Sequence, residues 1–248
     1  MARCAGWTPS FRSPRHEQMT SPSVRSEATD PVSLADQAFE SSNLYSFFAA
    51  VFSKEASSEM LDLIKSPDFL EAFFDAGGKF DLKLLRRPDD ELIEELAVEF
   101  TALFLGPGEH ISPHESVQTD GGKGRLWGPE TSEVRNFIET AGFEYKTNYT
   151  GLPDHISVEF EFMEQISKRE AEAWRKKDFK TAAEVLDVEN KFMKIHLSAW
   201  AIEFCRKVGK MAKHPFYSEL AKLASSFLED EYDELPRRLK LAREYMVN

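Results

Sequence analysis

Apolar residues recur along most of this chain at intervals of three and four, the repeat that gathers side chains on one face of a helix. Phe39, Leu44, Phe47, Phe48, Val51 and Phe52 form a wide apolar face, and Ser33 with Asp36 resembles a capping arrangement, so a first helix is expected over about 34–53. A second stretch, 56–65, stops before Pro67, and a third reaches Gly77–Gly78, a pair suited to the left-handed end of a helix. After Pro88, Asp89 or Asp90 can cap a helix that carries Leu92, Leu96, Phe100, Leu103 and Phe104 and ends at Gly106-Pro107-Gly108. From Pro129, with caps at Thr131–Ser132, the pattern resumes and stops at Gly142. Pro153-Asp154 opens a long helix whose apolar positions Ile156, Phe160, Met163 and Ile166 advance by 4, 3 and 3. Asp178 begins another that continues to Val208, and Pro215 a last one. No segment reads as a strand. The pattern predicts an all-α fold, a single-domain bundle of about nine helices over residues 34–248.

Two stretches lack periodicity. Residues 1–33 carry six Ser, four Pro and four Arg, too little ordered apolar surface to offset the entropy of folding, and are expected to be disordered. Residues 106–129 hold six Gly and three Pro, a length of irregular chain that inside a compact domain is functional or disordered.

Composition narrows the function. With 31 Lys and Arg against 43 Asp and Glu the net charge is −12, which argues against a nucleic-acid partner. The richest apolar run, Leu44 to Phe52, is interrupted by Ser46 and falls short of the roughly 18–20 residues of a membrane span, so no integral membrane association is expected. Cys4 and Cys205 support neither a disulfide framework nor a cysteine zinc site, and a reducing cytoplasm fits.

Candidate chemistry is sparse. His110 and His114 are four apart beside Glu115, a zinc spacing on a helix, but Pro113 stands between them; His155 and Glu159 repeat the spacing without an identifiable third ligand. These residues define the enzyme alternative, a metal-dependent hydrolase. Asp154 suits a helix N-cap. Gly121-Gly122-Lys123-Gly124-Arg125 matches no phosphate fingerprint and reads as a turn. Trp174 and Trp200 read as packing, and Glu229-Asp230-Glu231 with Asp233 and Glu234 as a solvated, helix-ending cluster. No Gly-x-Ser-x-Gly elbow exists and no reaction centre assembles, so a binding protein without catalysis, metal or cofactor is expected.

Four stretches together resemble the TorD/DmsD family of redox-enzyme maturation chaperones: Glu99 through Gly108 with its Leu-Phe-Leu-Gly-Pro ending, Ser112-Pro113-His114-Glu115-Ser116-Val117, Leu126-Trp127-Gly128 followed by Glu130-Thr131, and Gly142-Phe143 through Pro153-Asp154-His155 to Met163. His196-Leu197-x-x-Trp200 and His214-Pro215-Phe216-Tyr217 add to the likeness. The chain departs from the family pattern at Ser112, where a second proline is usual, and at His114 and Gln118. The resemblance implies a cytoplasmic, non-catalytic helical protein that binds the twin-arginine leader, and the mature part, of a molybdopterin-containing oxidoreductase before export. It implies a peptide site at Pro153, Asp154, His155, Gly128, Trp127, Glu115, Ser116, Glu159 and Phe160. Asp154 and Glu159 are expected to hold the arginines and apolar residues near Gly128 and Phe160 to line a groove, an arrangement suited to guanidinium groups ahead of an apolar stretch. His155 is expected to make binding pH-sensitive near neutrality. A monomer or a helix-swapped dimer hinged at 106–129 fits such a fold.

Overall fold

Several helix starts in this protein are set by side chains that reach the free amides of the first turn, and the first one lies slightly earlier than periodicity places it. Asp30 Oδ1 accepts the amides of Val32 and Ser33, at 3.0 and 3.1 Å, so α1 spans Pro31–Ser53. The expected start near 34 and the Ser33–Asp36 cap are therefore corrected: Ser33 lies inside the first turn and donates its hydroxyl to Asp30. The computed structural model describes residues 29–75, 77–79, 81, 83–119, 124–143 and 151–247. Of residues 1–33, expected to be disordered, Pro31 to Ser33 form the first turn of α1, while 1–28 and the Gly121-Gly122-Lys123 part of the expected turn lie outside these residues.

Ten α-helical segments follow one another among the described residues, with no strand. After α1 come α2 (Ser58–Ile64), α3 (Pro67–Asp75), a 3₁₀ turn at Leu84–Arg86 and α4 (Asp89–Phe100). A π-helical turn, Thr101–Leu105, prolongs α4 to Gly106. The Gly/Pro-rich stretch contains α5 (Glu115–Gln118), a short helix that periodicity cannot reveal in four residues, and α6 (Pro129–Thr140) follows. Then come α7 (Ile156–Lys176), α8 (Phe179–Phe192), a second π turn at Met193–Leu197, α9 (Ser198–Met211) and α10 (Pro215–Val247).

Several expected caps are displaced. Pro88 precedes α4 without a side-chain cap, Gly128 precedes α6, and Thr131 is buried within it. Gly142, at φ +80°, ends α6 as expected, and Asp178 caps α8 through the Thr181 amide. The acidic run at 229–234 does not end a helix: α10 continues through it and through Pro236 to Val247. Within it Glu231 is buried, accepting Ser41 Oγ at 2.8 Å and Arg238 Nη2 at 3.1 Å, instead of facing solvent.

The most extensive helix contact runs α1 along α7, with α10 packed on α8 and α9. One contiguous core joins them. Its centre is aromatic: Phe160 lies 6.0, 6.1 and 6.2 Å from Tyr45, Phe48 and Phe52, ring to ring. Phe104 and Phe204 stack beyond Phe52. Each such buried ring contributes roughly 1.5–3 kcal/mol by leaving water.

A second, ionic centre lies between α1, α7, α8 and α10. Arg238 is fully buried and faces Glu231, Glu170 at 3.4 Å and Glu189 at 4.0 Å. Trp174 Nε1 donates to Glu170 Oε1 at 2.9 Å, so this tryptophan packs, as expected, and also satisfies a carboxylate. Three carboxyls around one guanidinium leave excess negative charge, and burial pushes Glu170 and Glu189 up, Glu189 well above the ordinary range.

Candidate functional site

The Gly/Pro-rich stretch and the start of α7 meet in a two-way backbone bridge. The Glu115 amide donates to the Asp154 carbonyl and the Ile156 amide to the Pro113 carbonyl, each at 2.9 Å, which seats His114 opposite His155. Asp154 does not cap its own helix. Its Oδ2 accepts the Ser116 amide at 3.0 Å, in the first turn of α5, while His155 Nδ1 accepts the Ser157 amide at 3.1 Å and so caps α7. The capping role expected of Asp154 is thus transferred to a distant helix, because the backbone bridge turns its carboxylate toward α5.

Further tethers hold α5 in place. Gln118 Nε2 donates to the Ser112 carbonyl at 2.7 Å and its Oε1 accepts Lys207 Nζ from α9 at 3.0 Å. Gly124 and Gly128 let the chain pass closely over it. A Cβ at Gly124 would meet the Ser116 carbonyl oxygen at 2.1 Å, and one at Gly128 the Ser116 Cβ at 3.0 Å.

Beneath α5 sit three carboxyls. Glu115 is buried against His196, whose Nδ1 lies 3.2 and 3.0 Å from its two oxygens, so the pair shares a hydrogen bond. Glu159, 0% exposed, accepts Trp200 Nε1 at 3.3 Å through Oε2. Asp154 is also 0% exposed. Three polar atoms of this group find no hydrogen-bond partner among the described residues: Asp154 Oδ1, Glu159 Oε1 and Ser116 Oγ. Burial, then the charges of Glu115 and Asp154, push the Glu159 carboxyl well above the usual range. Burial raises Glu115 too, partly offset by His196.

The structure therefore brings together Pro153, Asp154, His155, Glu115, Ser116, Glu159 and Gly128, all expected in one site. Two expected members stand apart. Trp127 is 76% exposed, held beside Gly128 at φ +68°, a left-handed conformation that costs a residue with a Cβ about 1 kcal/mol or more. Phe160 belongs to the aromatic centre of the core and lines no groove, because it projects from α7 toward α1. The expectation that His155 titrates near neutrality is also corrected: burial, with His114 beside it, lowers it to about 3. Two residues that residue-by-residue reading placed outside the site, His196 and Trp200, are the ring-nitrogen partners of Glu115 and Glu159. Their spacing of four on one helical run was the available signal.

The metal arrangement loses its geometry. His110 Nδ1 turns to the Gly108 carbonyl, His114 packs edge-on to His155 with ring centres 4.9 Å apart, and one Glu159 oxygen accepts Trp200 Nε1. Among the described residues no three His, Cys, Asp or Glu side chains gather as metal ligands. Nor, among them, is any helix long and apolar enough to cross a membrane.

Fold and site together define an all-helical protein with a buried acid–histidine cluster built from an irregular loop and two helix starts. The chain belongs to the nitrate reductase delta subunit family, matched over residues 67–206. It is similar to the chaperone protein TorD of Shewanella pealeana, 22% identical over 80% of this chain and 90% of that protein. The chaperone protein TorD of Vibrio parahaemolyticus is 25% identical over 74% of this chain and 89% of that one. A solved structure, a redox enzyme maturation protein from Archaeoglobus fulgidus, is 22% identical, covers 76% of this chain and 93% of its own, and has a TM-score of 0.46.

Proposed function

We propose that this protein is a cytoplasmic, non-catalytic chaperone that binds the twin-arginine signal peptide of a molybdopterin-containing oxidoreductase and supports its cofactor insertion and folding before export. Family membership and the chaperone names of its relatives support the chaperone role. The observation that carries leader recognition is the buried pair Asp154 and Glu159, each with an oxygen that has no donor among the described residues. A guanidinium group brings five N–H donors and a full positive charge, so it satisfies both oxygens and offsets the buried negative charge at once. An overall charge of −12 favours encounter with a cationic segment and weakens with salt.

Because the acceptors lie beneath α5, the leader reaches them only when Pro113 through Gln118 move off the start of α7. The links to be broken include the backbone bridge, the Asp154–Ser116 bond, the Glu115–His196 pair, the Gln118–Lys207 contact and the His114–His155 ring packing. The test is calorimetry of the purified chain against twin-arginine leader peptides from the host's molybdoenzymes, each beside a twin-lysine control. Micromolar or tighter binding to one leader, weakened in its control, is expected. Failure of every leader to bind overturns this reading.

A further inference from the structure

Glu159 is unusual among the three carboxyls under α5. It is 0% exposed, and among the described residues its one donor is Trp200 Nε1 at a long 3.3 Å. By contrast, Asp154 has the Ser116 amide at 3.0 Å, and Glu115 has His196 at 3.0 Å. The groups facing Glu159 are Glu115 from α5, Asp154 from the turn before α7 and Trp200 from α9. Around them stand His114 and His155 near Asp154, and His196 and Glu130 near Glu115. Among the described residues no lysine or arginine pairs with Asp154 or Glu159. An anion at Glu159 would thus be buried beside two other carboxyls with a single weak donor, and a proton on it removes that cost.

A guanidinium group reverses the balance. Placed against Glu159 Oε1 and Asp154 Oδ1, it supplies the charge and the donors that the ionised carboxylate lacks, and a protonated carboxyl would set an O–H against those N–H groups. We propose that capture of an arginine side chain at this cluster expels one proton from Glu159, so that leader binding is coupled to proton release. The inference rests on leader recognition at these residues. In the step, the O–H bond of the Glu159 carboxyl breaks, the proton passes to solvent, and a carboxylate–guanidinium pair remains; nothing is oxidised or reduced. Burial, then the charges of Glu115 and Asp154, hold the Glu159 carboxyl well above the ordinary carboxylate range, so it keeps its proton beyond the pH at which an exposed glutamate loses it. Affinity then rises with pH, by up to about tenfold per pH unit while free Glu159 holds its proton, and levels off above that point. In the free protein His155, lowered to about 3 by burial and by His114 beside it, is neutral over this range.

The experiment uses the full chain and its twin-arginine leader peptide, titrated calorimetrically at one mildly acidic pH in two buffers of different ionisation enthalpy. The expected result is an observed enthalpy that differs between buffers by the equivalent of about one proton released. Glu159→Gln, which keeps an acceptor for Trp200, is expected to bind the leader more weakly and with a buffer-independent enthalpy. Should that variant fail to fold, an infrared difference spectrum of the unaltered protein with and without leader reads the same event as loss of a protonated-carboxyl band. Leader binding with a buffer-independent enthalpy and no carboxyl band lost overturns the inference and leaves the chaperone reading intact. Absence of binding to any leader overturns both.

Discussion

The Asp154 carboxylate accepts the amide of Ser116, 38 positions earlier, at 3.0 Å, and thereby joins the start of α7 to the short helix in the Gly/Pro-rich stretch. A side chain that by local pattern should cap its own helix serves another one. That one bond makes the state of α5 and the exposure of the acidic cluster interdependent.

Replacing Asp154 separates the two roles. Asp154→Ala leaves the buried Ser116 amide without an acceptor and is expected to cost about 1–3 kcal/mol, read as a lowered urea midpoint. Asp154→Asn keeps an acceptor oxygen, so its midpoint should stay closer to that of the unaltered chain while leader affinity falls at least tenfold. Equal leader affinity in the asparagine variant would remove Asp154 from the arginine site.

The two glycines over α5 should respond unequally. Gly124→Ala drives a methyl group against the Ser116 carbonyl, a backbone atom with nowhere to go, and overpacking of this kind costs about 1–3 kcal/mol. At Gly128 the nearest atom is the mobile end of Glu130, at 2.5 Å, so Gly128→Ala should cost less. Thermal melting of both variants orders them; the reverse order would show that α5 yields more readily than the Glu130 side chain.

Trp127 pairs exposure with backbone strain. Trp127→Gly should be neutral to stabilising by about 1 kcal/mol, because glycine adopts φ +68° freely, yet should weaken leader binding if the indole is a contact. A destabilised variant with unchanged affinity would assign Trp127 a structural role alone.

Arg238 is the sole cation among Glu170, Glu189 and Glu231 within the described ion pairs of that centre. Arg238→Met strands three buried carboxyls and is expected to cost about 3–5 kcal/mol in chemical denaturation. Adding Glu170→Gln and Glu231→Gln should recover part of that loss. No recovery would mean that packing of the long arginine stem outweighs its charge.

Stability should peak on the acidic side of neutrality. Glu115, Glu159, Glu170 and Glu189 are raised above their ordinary 4.5, so the folded chain holds protons that the unfolded chain has lost, and stability declines as pH rises above that value. His155, lowered from 6.5 to about 3, acts oppositely: the unfolded chain binds its proton first, and stability declines as pH falls below 6.5. His114 and His214 are lowered in the same direction. The maximum is expected between 4.5 and 6.5, and Glu189→Gln should flatten the alkaline slope. Urea midpoints that climb steadily from neutral to mildly alkaline pH would contradict this balance.

Periodicity by itself determined the helical class, the stop at Gly142, the cap at Asp178 and the aromatic core positions on α1 and α7, because each depends on residues within a turn or two of one another. The motifs likewise marked Glu115, Ser116, Asp154, His155 and Glu159 as belonging together. What those side chains touch was decided only by the tertiary structure. The pairs Asp154–Ser116, Glu115–His196 and Glu159–Trp200, and the contacts of Arg238 with Glu170 and Glu189, all join residues far apart in the chain. Local pattern assigns a polar side chain to the nearest amide or to water. Burial between packed helices removes the water, and the side chain then takes whichever partner the fold brings within reach, or is left with an unfilled oxygen for a ligand.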